Sequence, residues 1–277
     1  KGGANYNLDD NHNVFANIGY FEKAPDYGAV FQGFDNENQN PDAENQKIFS
    51  FELGYGFRGE QFAANVNVYS TRWNDRTETA TFRQPNGDNA TANILGVNAL
   101  HQGIELDFTY RPSDKLTLTG MASFGDWKWK DNVEDVEIFD EDQNLIETVD
   151  LFIKDLKVGD AAQTTMALGL NYEIMPKTTL LIDYNYYDNY YADFDPSDRG
   201  SVAPESWKTP SYGLFDAGLR YGFKLGDFNA TVTGRVNNVF DTEYIADARD
   251  GGNHDAATAL VYYGFGRTYS ISTKIRF

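Results

Sequence analysis

Gly266-Arg267-Thr268-Tyr269-Ser270-Ile271-Ser272-Thr273-Lys274-Ile275-Arg276-Phe277 closes the chain, and its reading decides the fold. Tyr269, Ile271, Ile275 and Phe277 share one parity, interrupted only by Thr273; Thr268, Ser270, Ser272, Lys274 and Arg276 share the other. Successive side chains of a strand point to opposite faces, so the stretch predicts one apolar and one polar face. With the apolar face against lipid and the polar face against a wet interior, it reads as a strand of a transmembrane β-barrel.

The same alternation recurs outward from that end. Phe215, Ala217, Leu219, Tyr221 and Phe223 precede a turn at Gly226-Asp227, and Val232 and Val236 follow it against Thr231, Thr233, Arg235 and Asn237. Met166, Leu168, Leu170, Tyr172 and Ile174 lead through Met175-Pro176-Lys177-Thr178 to Leu180, Ile182, Tyr184 and Tyr186. Ile104, Leu106, Phe108 and Tyr110 turn at Pro112-Ser113-Asp114-Lys115 into Leu116, Leu118, Gly120, Ala122 and Phe124. Phe49, Phe51, Leu53, Tyr55 and Phe57 turn at Arg58-Gly59-Glu60-Gln61 into Phe62, Ala64, Val66 and Val68, a strand expected to reach Phe82 before a loop lasting to Asn98. Val14, Ala16, Ile18 and Tyr20 come first, after an Asn/Asp turn at residues 9–13.

Short turns thus alternate with long polar loops at 24–46, 131–160, 193–210 and 246–262. Outer-membrane barrels sort their connections this way, turns on the periplasmic side and loops outside. A soluble antiparallel sandwich also alternates, but its connections are not sorted into two length classes, and the polar parity here is too rich in Asn, Asp, Glu, Thr and Arg. The expected fold is all-β, a transmembrane antiparallel β-barrel.

Composition is compatible with this. Mean hydropathy is −0.56 and no run of 18 apolar residues occurs, which excludes a transmembrane helix but not a barrel, where only alternate residues need be apolar. A net charge of −19 argues against nucleic acid as a partner, since phosphate binding needs a basic stripe. The absence of cysteine removes disulfides, thiolate metal sites and Cys nucleophiles together. Lys1-Gly2-Gly3-Ala4 has no apolar core and cleavage site, so a mature chain or a piece of one is expected. Ten full strands plus a partial one at residues 2–8 make an odd number, whereas single-chain bacterial barrels have even numbers. The whole chain, residues 1–277, is therefore expected to be the C-terminal part of a longer barrel.

Val236-Asn237-Asn238-Val239-Phe240-Asp241-Thr242-Glu243-Tyr244, followed by Tyr263-Gly264-Phe265-Gly266-Arg267-Thr268-Tyr269 and the terminal Phe, resembles the C-terminus of TonB-dependent outer-membrane receptors. Lys23-Ala24-Pro25-Asp26-Tyr27, Asn40-Pro41-Asp42-Ala43-Glu44 and Gln102-Gly103-Ile104-Glu105-Leu106 resemble earlier stretches of that family in the expected order. The resemblance implies a 22-stranded barrel around an N-terminal plug, of which this chain supplies roughly the second half. It implies TonB-dependent uptake of a scarce nutrient (siderophore, glycan or peptide) across a Gram-negative outer membrane. The partners it implies are the plug and N-terminal strands of the same receptor, TonB acting through that plug, and outer-membrane lipid. No cofactor is implied.

Two readings from other classes stand beside it. A structural barrel could dock a surface lipoprotein on its acidic outer loops, and an omptin-like protease could use His254-Asp255. The protease reading is weak, because no second carboxylate pair is placed beside His254 and no catalytic residue is assigned. Asp140-Glu141-Asp142-Gln143-Asn144 begins like a calcium loop, but Leu145 stands where Gly is needed and Leu151 where Glu is needed; no metal site is assigned, and a hairpin over residues 136–149 is expected instead. Tyr184 and Tyr186 read as an interfacial girdle. Asp183, Tyr187, Tyr191 and Arg235, on the polar parity, are the candidate ligand-binding residues of a lumen or vestibule. Glu52, Glu105, Asp107, Arg111, Glu173 and Arg220 are further charges of that parity, facing a plug or water.

Overall fold

The computed structural model describes residues 1–31, 39–83, 87–142 and 144–276; Phe277 lies outside them. The strands in chain order are β1 (Gly2–Asn7), β2 (His12–Lys23), β3 (Gln46–Arg58), β4 (Phe62–Arg83), β5 (Asn89–Ser113), β6 (Leu116–Trp129), β7 (Val133–Phe139), β8 (Leu145–Leu151), β9 (Ala162–Met175), β10 (Thr178–Tyr190), β11 (Tyr212–Leu225), β12 (Phe228–Asn237), β13 (Ile245–Arg249), β14 (Leu260–Tyr263) and β15 (Thr268–Arg276). One short helix, α1 (Tyr27–Val30), sits in the loop after β2.

Among the described residues, β1-β2-β3-β4-β5-β6-β9-β10-β11-β12-β15 form one curtain of sequential antiparallel neighbours. Ten of these are full strands and β1 is the partial one. Register puts the alternation to work. Phe51 pairs with Ile18, Val68 with Leu53 and Ile104, Ile104 with Phe124, and Leu118 with Leu170. Directly opposed residues of an antiparallel pair share a face, so these side chains make one continuous apolar surface. It is not buried: Phe51, Leu106 and Leu168 are 43%, 44% and 57% exposed, and Val232 is half-buried. A sheet that leaves its apolar face open in this way is built for lipid.

The opposite face is hydrogen-bonded crosswise. Asn17 and Asn67 donate to the two oxygens of Glu52 (2.9 and 3.0 Å), Asn67 also donates to Glu105 (3.2 Å), and Asn65 donates to Asp107 (3.0 Å). This amide–carboxylate ladder holds the carboxylates solvated on a wet wall. At the short-turn end, rings gather: Phe62 lies 6.1 to 6.2 Å from Phe57, Phe108 and Tyr110, and Tyr221 stacks on Phe223 at 6.0 Å. Such a band is the girdle expected at a membrane interface.

The long-loop end differs from the sequence expectation in two places: the stretch 246–262, expected as loop, carries the paired strands β13 and β14, and the segment before Asn98 is not a loop. β4 reaches Arg83 much as expected, but residues 89–98, expected as loop, form the outer part of β5 and pair back onto β4. Bulges between Trp73 and Glu78, with Asp75 at φ +56°, turn the ribbon where it leaves the wall. Its small residues Ala90, Ala92, Val97 and Ala99 and Ile94 are fully buried under the β7–β8 hairpin, Leu151, Ile153, Leu156 and Phe194. This cluster is the only extensive dry core among the described residues, and it lies in the loops. The hairpin expected over 136–149 is present as β7–β8, and Asp140 and Asn144 close its turn by mutual hydrogen bonds (2.8 and 3.0 Å).

Candidate functional site

The inner wall below the loops carries three stacked tyrosines. Tyr187 on β10 is the direct partner of Tyr212 on β11, their rings 4.9 Å apart; Tyr212 in turn stacks on Tyr244 at 4.6 Å, and both pairs lie within 30° of parallel. Gly264 allows the last step, since a Cβ there would overlap the Tyr244 ring. Register dictates the first contact; the second depends on the loop before β13.

Lower on the same wall, Arg235 forms an ion pair with Asp183. Arg235 is on β12 and Asp183 on β10, so the arginine crosses β11. It can do so because its partner there is Gly218, where a Cβ would come within 2.9 Å of the arginine stem and 2.8 Å of the Gly234 carbonyl. The pair is about two-fifths exposed, so it positions charge more than it stabilises the fold. Asp183 and Arg235, both candidate ligand-binding residues from the sequence, are thus held by each other.

Tyr191 does not join Tyr187. Asn189 adopts a left-handed backbone (φ +53°), which breaks the alternation before it reaches Tyr191. Tyr191 bridges to Lys208, and it is buried Tyr190 whose hydroxyl donates to the Ala246 carbonyl at 3.2 Å and lies 3.4 Å from Asp247. Asp160 acts on Tyr190 and also on Asp193, which feels Glu78 as well, with Arg249 and Arg76 as counter-charges. Burial, then the charges of Asp160 and Glu78, push the Asp193 carboxyl up to about 7. Arg76 lies over the faces of Trp73 and Trp129, 5.8 and 5.2 Å from the ring centres. His101 sits between Trp73 and Trp127, and Trp127 Nε1 donates to the Tyr69 hydroxyl at 2.9 Å. Three of the four tryptophans therefore belong to one aromatic patch at the mouth.

His254 is engaged elsewhere. Its Nδ1 lies 2.7 Å from Asp250 Oδ2, the oxygen that also accepts from Arg199 Nη2 at 2.8 Å. Arg199 is fully buried and also donates to the Pro204 carbonyl and Ser206; Asp250 Oδ1 accepts from the Trp207 amide at 3.0 Å. Asp255 accepts from Ala257 and Thr258 within its own turn. The His254-Asp255 pair of the protease reading is split between a loop clamp and a turn. Sequence reasoning missed Tyr212, Tyr244, Asp193 and the Arg199–Asp250 clamp. Tyr212 alone was findable, as the residue that register sets opposite Tyr187.

A family model described as TonB dependent receptor-like, beta-barrel matches residues 1–239. The chain belongs to this receptor-barrel family. No curated protein matches it in sequence. Among solved structures it is similar to the copper transporter OprC (18% identity, TM-score 0.66, covering 99% of this chain and 38% of that one). It is also similar to the ferric-catecholate import receptor Fiu from E. coli K12 (18%, 0.63, 98% and 34%) and to the siderophore receptor PiuA from Acinetobacter baumannii (16%, 0.67, 99% and 34%). At these identities the likeness is one of fold. The chain spans between about a third and two-fifths of the length of these receptors.

Proposed function

We propose that this chain is the C-terminal half, roughly, of a 22-stranded TonB-dependent barrel in a Gram-negative outer membrane, and that the whole receptor imports a scarce nutrient with energy delivered by TonB through its plug. The observation that carries this is the two-faced curtain with two unclosed edges. Among the described residues, β1 pairs only with β2 and β15 only with β12. An open edge in hydrocarbon leaves backbone groups unsatisfied at several kcal/mol each, so further strands must close the wall. Plug, N-terminal strands and lipid are then the immediate partners.

The mouth supplies the binding surface. Asp183, Tyr187 and Arg235, with Tyr191 at the margin, line or border it together with Tyr212 and Tyr244. Stacked phenols favour a ligand with a flat or apolar face, and the surrounding carboxylates favour a neutral or cationic one over an anion. Siderophore, glycan and peptide classes all contain such ligands. The test is uptake of labelled representatives of each class by cells lacking the full-length gene, complemented with wild type or Tyr212→Ala. Uptake of one class that depends on the gene and falls with Tyr212→Ala supports the reading; uptake of every class unchanged by deletion overturns it.

A further inference from the structure

The β7–β8 hairpin joins the sheet through β7, which pairs with the outer part of β5 at Thr91 and Ala92, and its outer strand β8 has a free edge. β8 pairs with β7 alone, and among the described residues no backbone hydrogen bond leaves its far side. Both of its faces are open over residues 145–148: Leu145 and Ile146 are 52% and 42% exposed, and Glu147 and Thr148 are exposed too. Only toward its base, at Val149 and Leu151, does the strand sink into the loop core. Exposed edges of this kind are templates for another strand.

Its charge is one-sided. Between residues 133 and 151 the chain carries Glu134, Asp135, Glu137, Asp140, Glu141, Asp142, Glu147 and Asp150, and no Lys, Arg or His. Lys130 and Lys154 flank the segment only at its foot. Edge charges protect a strand from pairing with a copy of itself, because like charges brought opposite each other repel. They do not protect it from a strand of opposite charge.

We propose that β8 is a docking edge, adding to its sheet one extended, lysine- or arginine-rich segment of a partner protein at the cell surface. Backbone pairing along residues 145–151 would supply affinity, as in other cases of strand addition. Leu145 and Ile146 would receive apolar side chains of the incoming strand on opposite faces, and Glu147 and Asp150 would select basic ones. Nothing in this depends on which nutrient the receptor carries.

The experiment uses the full-length receptor in detergent and three fluorescent eight-residue probes: alternating Lys and Val, alternating Glu and Val, and the Lys/Val peptide N-methylated at alternate residues. N-methylation keeps the charge and removes strand pairing along one edge. The expected result is saturable binding of the Lys/Val probe at physiological salt, none of the Glu/Val probe, and a loss of about tenfold or more on N-methylation. Glu147→Lys with Asp150→Lys, both at exposed positions, is expected to weaken the Lys/Val probe by about tenfold, the effect of reversing two surface charge contacts. Equal binding of the methylated and unmethylated probes, binding indifferent to the charge reversal, or no saturable binding because another part of the receptor already covers the edge, each overturns the proposal.

Discussion

Arg199 shows how much one buried charge can organise. It and Asp250 are both almost fully enclosed, and the pair joins the loop after β10 to the loop after β13. Removing the arginine alone leaves Asp250 charged and dry, which in buried pairs costs about 3–5 kcal/mol. Arg199→Met should therefore free both loops, seen as faster hydrogen exchange at Trp207 and new protease cuts within residues 200–210. Arg199→Met with Asp250→Leu should recover part of that loss, since replacing both charges removes the stranded one; a double variant no better protected than the single one contradicts the account. Asp193 adds a pH dependence. Its folded-state carboxyl is raised to about 7 by burial and by Asp160 and Glu78, against Arg249 and Arg76. A raised carboxylate binds its proton more tightly folded than unfolded, so its stabilisation is full below about pH 4 and is lost as pH rises through 7. Protection of the Asp193 and Asp250 amides should fall by at most about tenfold per pH unit across that window. Asp193→Asn should flatten the profile, and an unchanged slope in that variant would place the titrating group elsewhere.

At the scale of elements, the ribbon formed by outer β4 and β5 depends on its apolar stripe. Ile94 is completely buried beneath the hairpin, and Ile94→Ala should cost about 2–4 kcal/mol locally by leaving a cavity. Because the cluster lies in the loops, that loss should appear as cleavage near residues 84–88 with the barrel's own unfolding unmoved. A lowered barrel unfolding temperature would show that the two regions are not separate. This ribbon is also where the sequence was least legible. Its β4 half was expected as far as Phe82, but on the β5 half Ala90-Thr91-Ala92-Asn93 lacks large alternating apolar residues. That run packs in the loop core instead of facing lipid, so small side chains under a hairpin replace the stripe that identifies a membrane strand. The wall strands were legible for the opposite reason: lipid requires the apolar parity at nearly every turn of the register. The mouth was legible only as far as the strands ran. Tyr187 and Arg235 follow from parity, but parity ends at Asn189, and neither the Tyr244 contact nor the Asp250 clamp is local in sequence.

For the whole molecule, the decisive division is between the two faces of the curtain, and single arginines can weigh them. Leu106 faces outward midway along the stretch of β5 that pairs with β6, Ala99 to Ser113, in register with Val66 and Ala122. Ser123, on neighbouring β6, faces inward in register with Glu105 and Thr165. An arginine at the lipid midplane of a barrel costs about 2–4 kcal/mol, while one on a wet wall is solvated and here has a carboxylate at hand. In the full-length receptor refolded into lipid vesicles, Leu106→Arg should lower the urea midpoint markedly, and Ser123→Arg should shift stability by less than about 1 kcal/mol. The comparison must be made in bilayers and not in a soluble fragment, because the unpaired edges of β1 and β15 give this chain alone two sites for aggregation. The two variants add the same side chain to the same sheet, with Cα partners one residue apart, and Leu106→Ala and Ser123→Ala subtract the loss of each native side chain. What remains is the difference between hydrocarbon and water. Equal penalties for both would mean that both faces meet the same solvent, and the barrel assignment would fail with them.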